Sequence, residues 1–232
     1  MKIFTAIILG FLPGIIWLIY FYYKDKRPEP KKLIIILFLL GFIGVVPAAI
    51  IELSLEEIFP FLQKEVLPII IISSFLIVGL AEEIIKFLVL FKKVFKKSVF
   101  DEMIDGVIYG VAVGFGFASS ENILAIWKLG EDIIIPRSLS ATLLHGITAG
   151  IIGFYLSVYK FRKRKKRVLL KGLVIAILLH GIYNTMVTSL TSSSFLILIL
   201  FMILIYFLLF LKIRKAKYLD SSRMVVKESQ GK

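Results

Sequence analysis

Apolar residues run through this chain in long blocks separated by short charged stretches. Seven blocks stand out: Ile3–Tyr23, Leu33–Ile51, Val66–Phe91, Met103–Trp127, Leu139–Tyr159, Val168–Leu190 and Phe195–Leu211. At about 1.5 Å of rise per residue, a block of this length crosses roughly 30 Å of hydrocarbon as a helix. Helices are expected because backbone groups in lipid must be paired within their own segment. The pattern predicts an all-α fold, a polytopic transmembrane helical bundle of about seven spans.

The stretches between the blocks alternate in charge. Lys24, Lys26, Arg27, Lys31 and Lys32 follow the first block. Lys92, Lys93, Lys96 and Lys97 follow the third, Lys160 and Arg162 to Arg167 the fifth, and Lys212, Arg214, Lys215 and Lys217 the seventh. The other connections are acidic or polar: Glu52, Glu56, Glu57 and Glu65, then Glu131 and Asp132, then Thr191 to Ser194. Basic loops stay on the cytoplasmic side, so the N-terminus is expected outside and the C-terminus in the cytoplasm. Residues 1–217 then form one transmembrane domain, and the polar tail 218–232 is expected to be disordered.

Composition supports a bilayer location. Hydrophobic residues make up 59% of the 232 positions, more than a soluble domain of this size can hide. The net charge of +13 would suggest nucleic acid in a soluble protein. Here the basic residues border apolar blocks, which assigns them to topology and excludes nucleic acid as the expected partner. Cysteine is absent, which removes disulfides, thiolate metal ligands and a cysteine nucleophile. The first block lacks a small-residue cleavage pattern and ends in aromatics, so it reads as a span and not a signal peptide.

Ionisable residues inside the apolar blocks are costly in lipid and usually functional. Glu82, Glu83 and Lys86 lie in the third block, Asp105 and Glu121 in the fourth with Asn122 beside the latter, His145 in the fifth, and His180 with Asn184 in the sixth. The two histidines are the only ones in the chain. Glu82 and Lys86 share a helix face, and pairing lowers the cost of burying both. Adjacent carboxylates repel, which suits one of them to acid–base chemistry. His180 and Asn184 also share a face and could stabilise an oxyanion. Each residue has a plainer explanation: interhelical hydrogen bonding for His145, His180, Asn122 and Asn184, a structural pair for Glu82 and Lys86, and a helix-start group for Asp105. Their placement on four successive helices favours a functional site. In the fourth block Gly106, Gly110 and Gly114 recur every fourth residue, a small face suited to close helix approach.

These residues carry a family resemblance. Ala81-Glu82-Glu83-Ile84-Ile85-Lys86 resembles the EExxK motif of the PrsW-like family of intramembrane proteases. Asp105-Gly106-Val107-Ile108-Tyr109-Gly110 and Gly114-Phe115-Gly116-Phe117-Ala118-Ser119-Ser120-Glu121-Asn122 resemble its second block, His145 its third motif, and His180-Gly181-Ile182-Tyr183-Asn184 its last. The motifs fall in order over about residues 80–184. The family is related to the CAAX prenyl endopeptidases and bacteriocin-processing membrane proteins, but Phe117 to Glu121 departs from the FxxxH element of the CAAX enzymes. The resemblance implies an intramembrane endopeptidase of the cell membrane acting on a membrane-anchored protein, with site-one cleavage of an anti-sigma factor as one role. It implies Glu82 or Glu83 as general base, His180 and Asn184 as oxyanion donors, His145 and Glu121 as site residues, and Lys86, Asp105 and Asn122 in support.

Members of the family are also described as metalloproteases. Glu83, Glu121, His145 and His180 could hold zinc, which takes nitrogen and oxygen donors. No HExxH element is present, and the sequence reading favours a mechanism that requires no metal. Two other classes compete: a proton-coupled transporter or channel using the same Glu, Lys and His relay, and a scaffold whose polar groups only hold helices together. Depth is the difficulty for a single site. Counted from the basic loops, Glu83 lies roughly 13 Å in, both histidines roughly 20 Å, and Glu121 near the opposite surface. Convergence therefore requires tilt, a longer third helix, or a break near Gly114 and Gly116 around a water-filled cavity.

Overall fold

The computed structural model describes residues 2–162, 165–189 and 195–230. Lys163 and Arg164 of one basic loop, Leu190, the connection Thr191 to Ser194, and the last two residues of the tail lie outside the described residues. Among the described residues there is no strand, and seven stretches are long and apolar enough to cross a membrane.

The helices are α1 (Lys2–Tyr22), α2 (Lys31–Ile58), α3 (Leu67–Ile72), α4 (Leu80–Val94), α5 (Met103–Leu129), α6 (Ile134–Leu139), α7 (Ala141–Phe161), α8 (Arg167–Ser189) and α9 (Phe195–Gln230). A π-helical stretch, Ser73–Gly79, joins α3 to α4, so these form one span from Leu67 to Val94. Short α6 and long α7 meet at Ser140 and make up another span.

α5 and α7 are the core. Most residues along them are buried, whereas the outer helices expose apolar faces as lipid-facing spans do. Their contact depends on glycine. A methyl group at Gly110 would run into the carbonyl oxygen of Ala149, and one at Gly114 into that of His145. The backbones therefore touch, as small-residue faces allow. α1 and α2 cover α5 on another side, α8 packs on α7, and α9 lies across α7 and α5.

Three features differ from the sequence expectation. α5 is one uninterrupted helix, because its glycines serve close approach to neighbours and not a break. α2 continues past Ile51 to Ile58 and carries Glu52 into the bundle. α9 continues past Leu211, the end of the seventh apolar block, through Tyr218. Asp220 is the reason its continuation docks: its carboxylate accepts hydrogen bonds from the backbone N–H of Met103 at 2.6 Å and Ile104 at 3.1 Å. Those amides open α5 and have no partner within their own helix.

Candidate active site

The third span brings the two glutamates to the site. The π-helical stretch ends one residue before α4 begins, and Glu82 and Glu83 fall in the first turn of α4. Such stretches re-aim the residues that follow and often sit beside functional groups. α8 is fitted against it, because Gly181 leaves room for the Phe75 ring beside His180.

Glu82, Glu83, Lys86, His145 and His180 converge. The Lys86 ammonium donates to Glu83 Oε1 at 2.8 Å and Glu82 Oε2 at 3.3 Å, and lies 2.8 Å from His145 Nδ1. It also stands 4.3 Å over the Phe117 ring. His180 Nδ1 lies 2.7 Å from Glu83 Oε1, which accepts a third bond from Thr148 Oγ1 at 3.1 Å. His145 Nε2 lies 2.9 Å from Glu121 Oε2. The imidazole centroids are 5.1 Å apart with planes nearly perpendicular.

The hydrogen bonds determine which ring atoms remain available. An ionised carboxylate only accepts, so His180 carries its proton on Nδ1 toward Glu83, and His145 carries its proton on Nε2 toward Glu121. The remaining nitrogens, His180 Nε2 and His145 Nδ1, lie 3.8 and 3.6 Å from Glu82 Oε2, and His145 Nδ1 accepts from the Lys86 ammonium at 2.8 Å. One ligand atom from each of Glu82, His145 and His180 lies within 4.8 Å of the other two.

The cluster is dry on most sides. Glu83 and Lys86 are completely buried, and His180, His145 and Glu82 are 1%, 2% and 4% exposed. The open edge is at Glu121 and Arg137, whose side chains are about a quarter exposed. The water-filled cavity expected from the sequence is thus reduced to an approach from one side.

Other expected residues stand further out. Asn122 donates to Thr142 Oγ1 at 3.0 Å and accepts from Arg137 Nε at 2.8 Å, and Arg137 also reaches Glu121 Oε2 at 3.3 Å. Asn184 is half-buried one turn beyond His180. Asp105 is not in the cluster. It opens α5, accepting from the backbone N–H of Asp101 at 2.9 Å and Glu102 at 2.6 Å in a capping box. Glu83 and Glu121 do not join the metal-capable donor group; each holds the far side of a histidine, and Glu82 takes the place expected for them.

Several neighbours escaped the sequence reading. Arg137 sits in a short helix outside the apolar block. Thr148, three residues after His145, shares its helix face and could have been found from that spacing. Glu52 lies on α2, where its charge acts on Glu121, Glu82 and Lys86, and one of its oxygens is sealed from solvent without a hydrogen-bond partner.

Two nitrogens and a carboxylate oxygen suit zinc, and three protein ligands leave a position open for chemistry. The outer contacts fit as well, because metal-binding histidines commonly donate their other N–H to a carboxylate. Lys86, now on His145 Nδ1, would have to give up that one contact while keeping both glutamates.

A helical membrane bundle with paired glutamates and two histidines buried between its spans defines an intramembrane peptidase. The chain belongs to the PrsW family: the sequence model described as "PrsW family intramembrane metalloprotease" matches residues 29–211. Protease PrsW of Bacillus subtilis (strain 168) is 36% identical over 225 residues, covering 96% of this chain and 99% of that protein. Protease PrsW of Oceanobacillus iheyensis is 32% identical over 89% of this chain and 94% of its own, and that of Shouchella clausii 30% over 91% and 97%. No solved structure matches the chain.

Proposed function

We propose that this protease cleaves a membrane-anchored protein at the Glu82, His145 and His180 cluster, with these three side chains holding a zinc ion. The observation behind this reading is the matched construction of the two histidines. Each has one nitrogen on a carboxylate and the other turned toward Glu82. Zinc bound there would supply Lewis acidity toward water and the scissile carbonyl.

Glu83 is the proposed proton acceptor. Its Oε1 is held by three donors, while its buried Oε2 makes no hydrogen bond and keeps its acceptor capacity. Glu83 takes a proton from the attacking water and returns it to the leaving amine. Lys86 keeps the two adjacent carboxylates from repelling each other. Glu121, steadied by Arg137, orients His145. Asn184 is the proposed amide donor to the developing oxyanion.

Position within the bundle supports a side of action. His145 comes four residues after the start of α7 and Glu121 eight before the end of α5, both at the end remote from the basic loops. With basic loops in the cytoplasm and the N-terminus outside, the site opens toward the outer half of the membrane. That placement suits a first, extracytoplasmic cut in an anti-sigma factor, the substrate class implied by the sequence resemblance.

The test is reconstitution of the purified chain in liposomes with a tagged single-span substrate. Wild type should release a fragment, and Glu83→Gln should not. Proton flux without proteolysis would replace this reading with the transporter.

A further inference from the structure

We propose that a second acidic cluster, at the end of the bundle opposite the protease site, binds a hard divalent cation of the Mg2+ or Ca2+ kind. Asp25, Glu102 and Asp105 each bring a carboxylate oxygen within 4.8 Å of the others, and Glu29 and Asp101 form an adjoining group that shares Asp105. Asp105 lies sixteen residues before Glu121 on the same helix, about 24 Å along its axis, so this cluster is separate from the protease site.

Acidic residues alone would not make a site. The arrangement of the two aspartates does more. Asp25 uses Oδ1 to accept the backbone N–H of Arg27 at 2.9 Å, and its Oδ2 is buried without a hydrogen-bond partner. Asp105 uses Oδ2 for two backbone amides, and its Oδ1 is likewise buried with no N–H or O–H donor on it; its carboxyl lies against that of Glu29, a close pair that a shared proton or a cation must bridge. Asp25 is 6% exposed and Asp105 0%. Each side chain is thus locked by backbone donors, with its second oxygen left for something else. A buried oxygen without a partner is costly, and a cation that takes oxygen ligands would satisfy both.

Lys26, Arg27 and Lys217 stand near the group. Arg27 pairs with Glu102, and Lys217 acts on Asp25 from α9. Even so, burial pushes the Asp25 and Glu29 carboxyls up from their ordinary range. A cavity of about 390 Å³ lined by Asp25, Arg27, Glu102, Lys217 and Asp220 gives an ion a way in. Occupation would tie the α1–α2 connection to the start of α5, beside the point where Asp220 docks α9.

The experiment uses the full chain in detergent, stripped with a chelator and titrated with Mg2+, Ca2+ and, as a spectroscopic probe, Mn2+. In Glu82→Gln, which lacks a ligand of the protease site, one Mn2+ per chain should bind in competition with Mg2+ or Ca2+. At a hundredfold excess over the dissociation constant, the melting temperature should rise by about 5 °C or more. Asp25→Asn and Asp105→Asn should each abolish the rise, while Glu82→Gln should keep it. Wild type that binds no Mn2+ and shows no shift overturns the proposal without reference to any variant. A shift kept by both aspartate variants and lost in Glu82→Gln assigns the ion to the protease site and overturns it equally.

Discussion

His180 meets Glu83 through Nδ1, 2.7 Å from Oε1, and this contact decides which nitrogen remains for chemistry. His145 is held the same way but mirrored, with Nε2 on Glu121 and Nδ1 inward. Opposite tautomers on two helices therefore leave one nitrogen of each ring within 4.8 Å of the same Glu82 oxygen. Both inner nitrogens lie within 4 Å of Glu82 Oε2, with Lys86 donating to the one on His145.

Glu82 and Glu83 are adjacent yet differently placed, so their amide variants should separate. Glu82→Gln should lose both bound zinc and cleavage. Glu83→Gln should keep the metal and lose cleavage by about a hundredfold or more, the usual scale for a missing general base. Elemental analysis of each purified variant, paired with its cleavage rate, checks this. Equal metal content in both variants would return Glu82 to a different role.

Metal removal gives an independent check. Treatment with ortho-phenanthroline should stop cleavage, and added Zn2+ should restore it. An unaltered rate after the metal is demonstrably gone would instead support water activated by glutamate alone, as the sequence reading favours.

Close helix contact leads to a mutational prediction. Gly114→Ala would force its methyl group against the carbonyl oxygen of His145, moving α7 where it carries that side chain. The expected cost is about 1–3 kcal/mol of stability, as for other overpacked sites. Activity should fall further than stability explains, because displacement of about 1 Å at a reacting group can cost roughly a hundredfold. Gly106→Ala, which meets Gly153 at the far end of the same interface, should cost similar stability and less activity. Thermal unfolding and cleavage assays on both variants measure the difference.

Much of this architecture was legible before any coordinates. Spans follow from apolar length, and the Lys86 contacts with Glu82 and Glu83 follow from helical spacings of four and three. The small face of α5 was readable from Gly106, Gly110 and Gly114. What could not be read was how depth is reconciled. The sequence left tilt, a longer third helix and a break near Gly114 and Gly116 open; glycine permits close approach as readily as breakage, and here it is approach. The irregular turn instead falls at Ser73–Gly79, where a Cβ at Gly79 would meet the Ser74 carbonyl oxygen. Arg137, Glu52 and Asp220 were hidden for another reason. Each is an ordinary charged residue at a span end until tertiary packing supplies its partner.

Arg137 now has a specific role to test. It joins Asn122 to Glu121, and Glu121 in turn holds His145. Arg137→Ala would leave Glu121 freer at the open edge of the site, so His145 would be less firmly oriented. Loss of such an outer partner typically costs about 10–100-fold in activity or metal affinity. Stability should change little, because the Arg137 side chain is about a quarter exposed and its ion pair with Glu121 is partly solvated. Arg137→Lys should recover only part of the activity. Lysine keeps the charge but lacks the planar fork that reaches Asn122 and Glu121 together. Cleavage rates and zinc affinity for both variants, compared with their melting temperatures, test the relay. Full activity in Arg137→Ala would show that Glu121 orients His145 unaided.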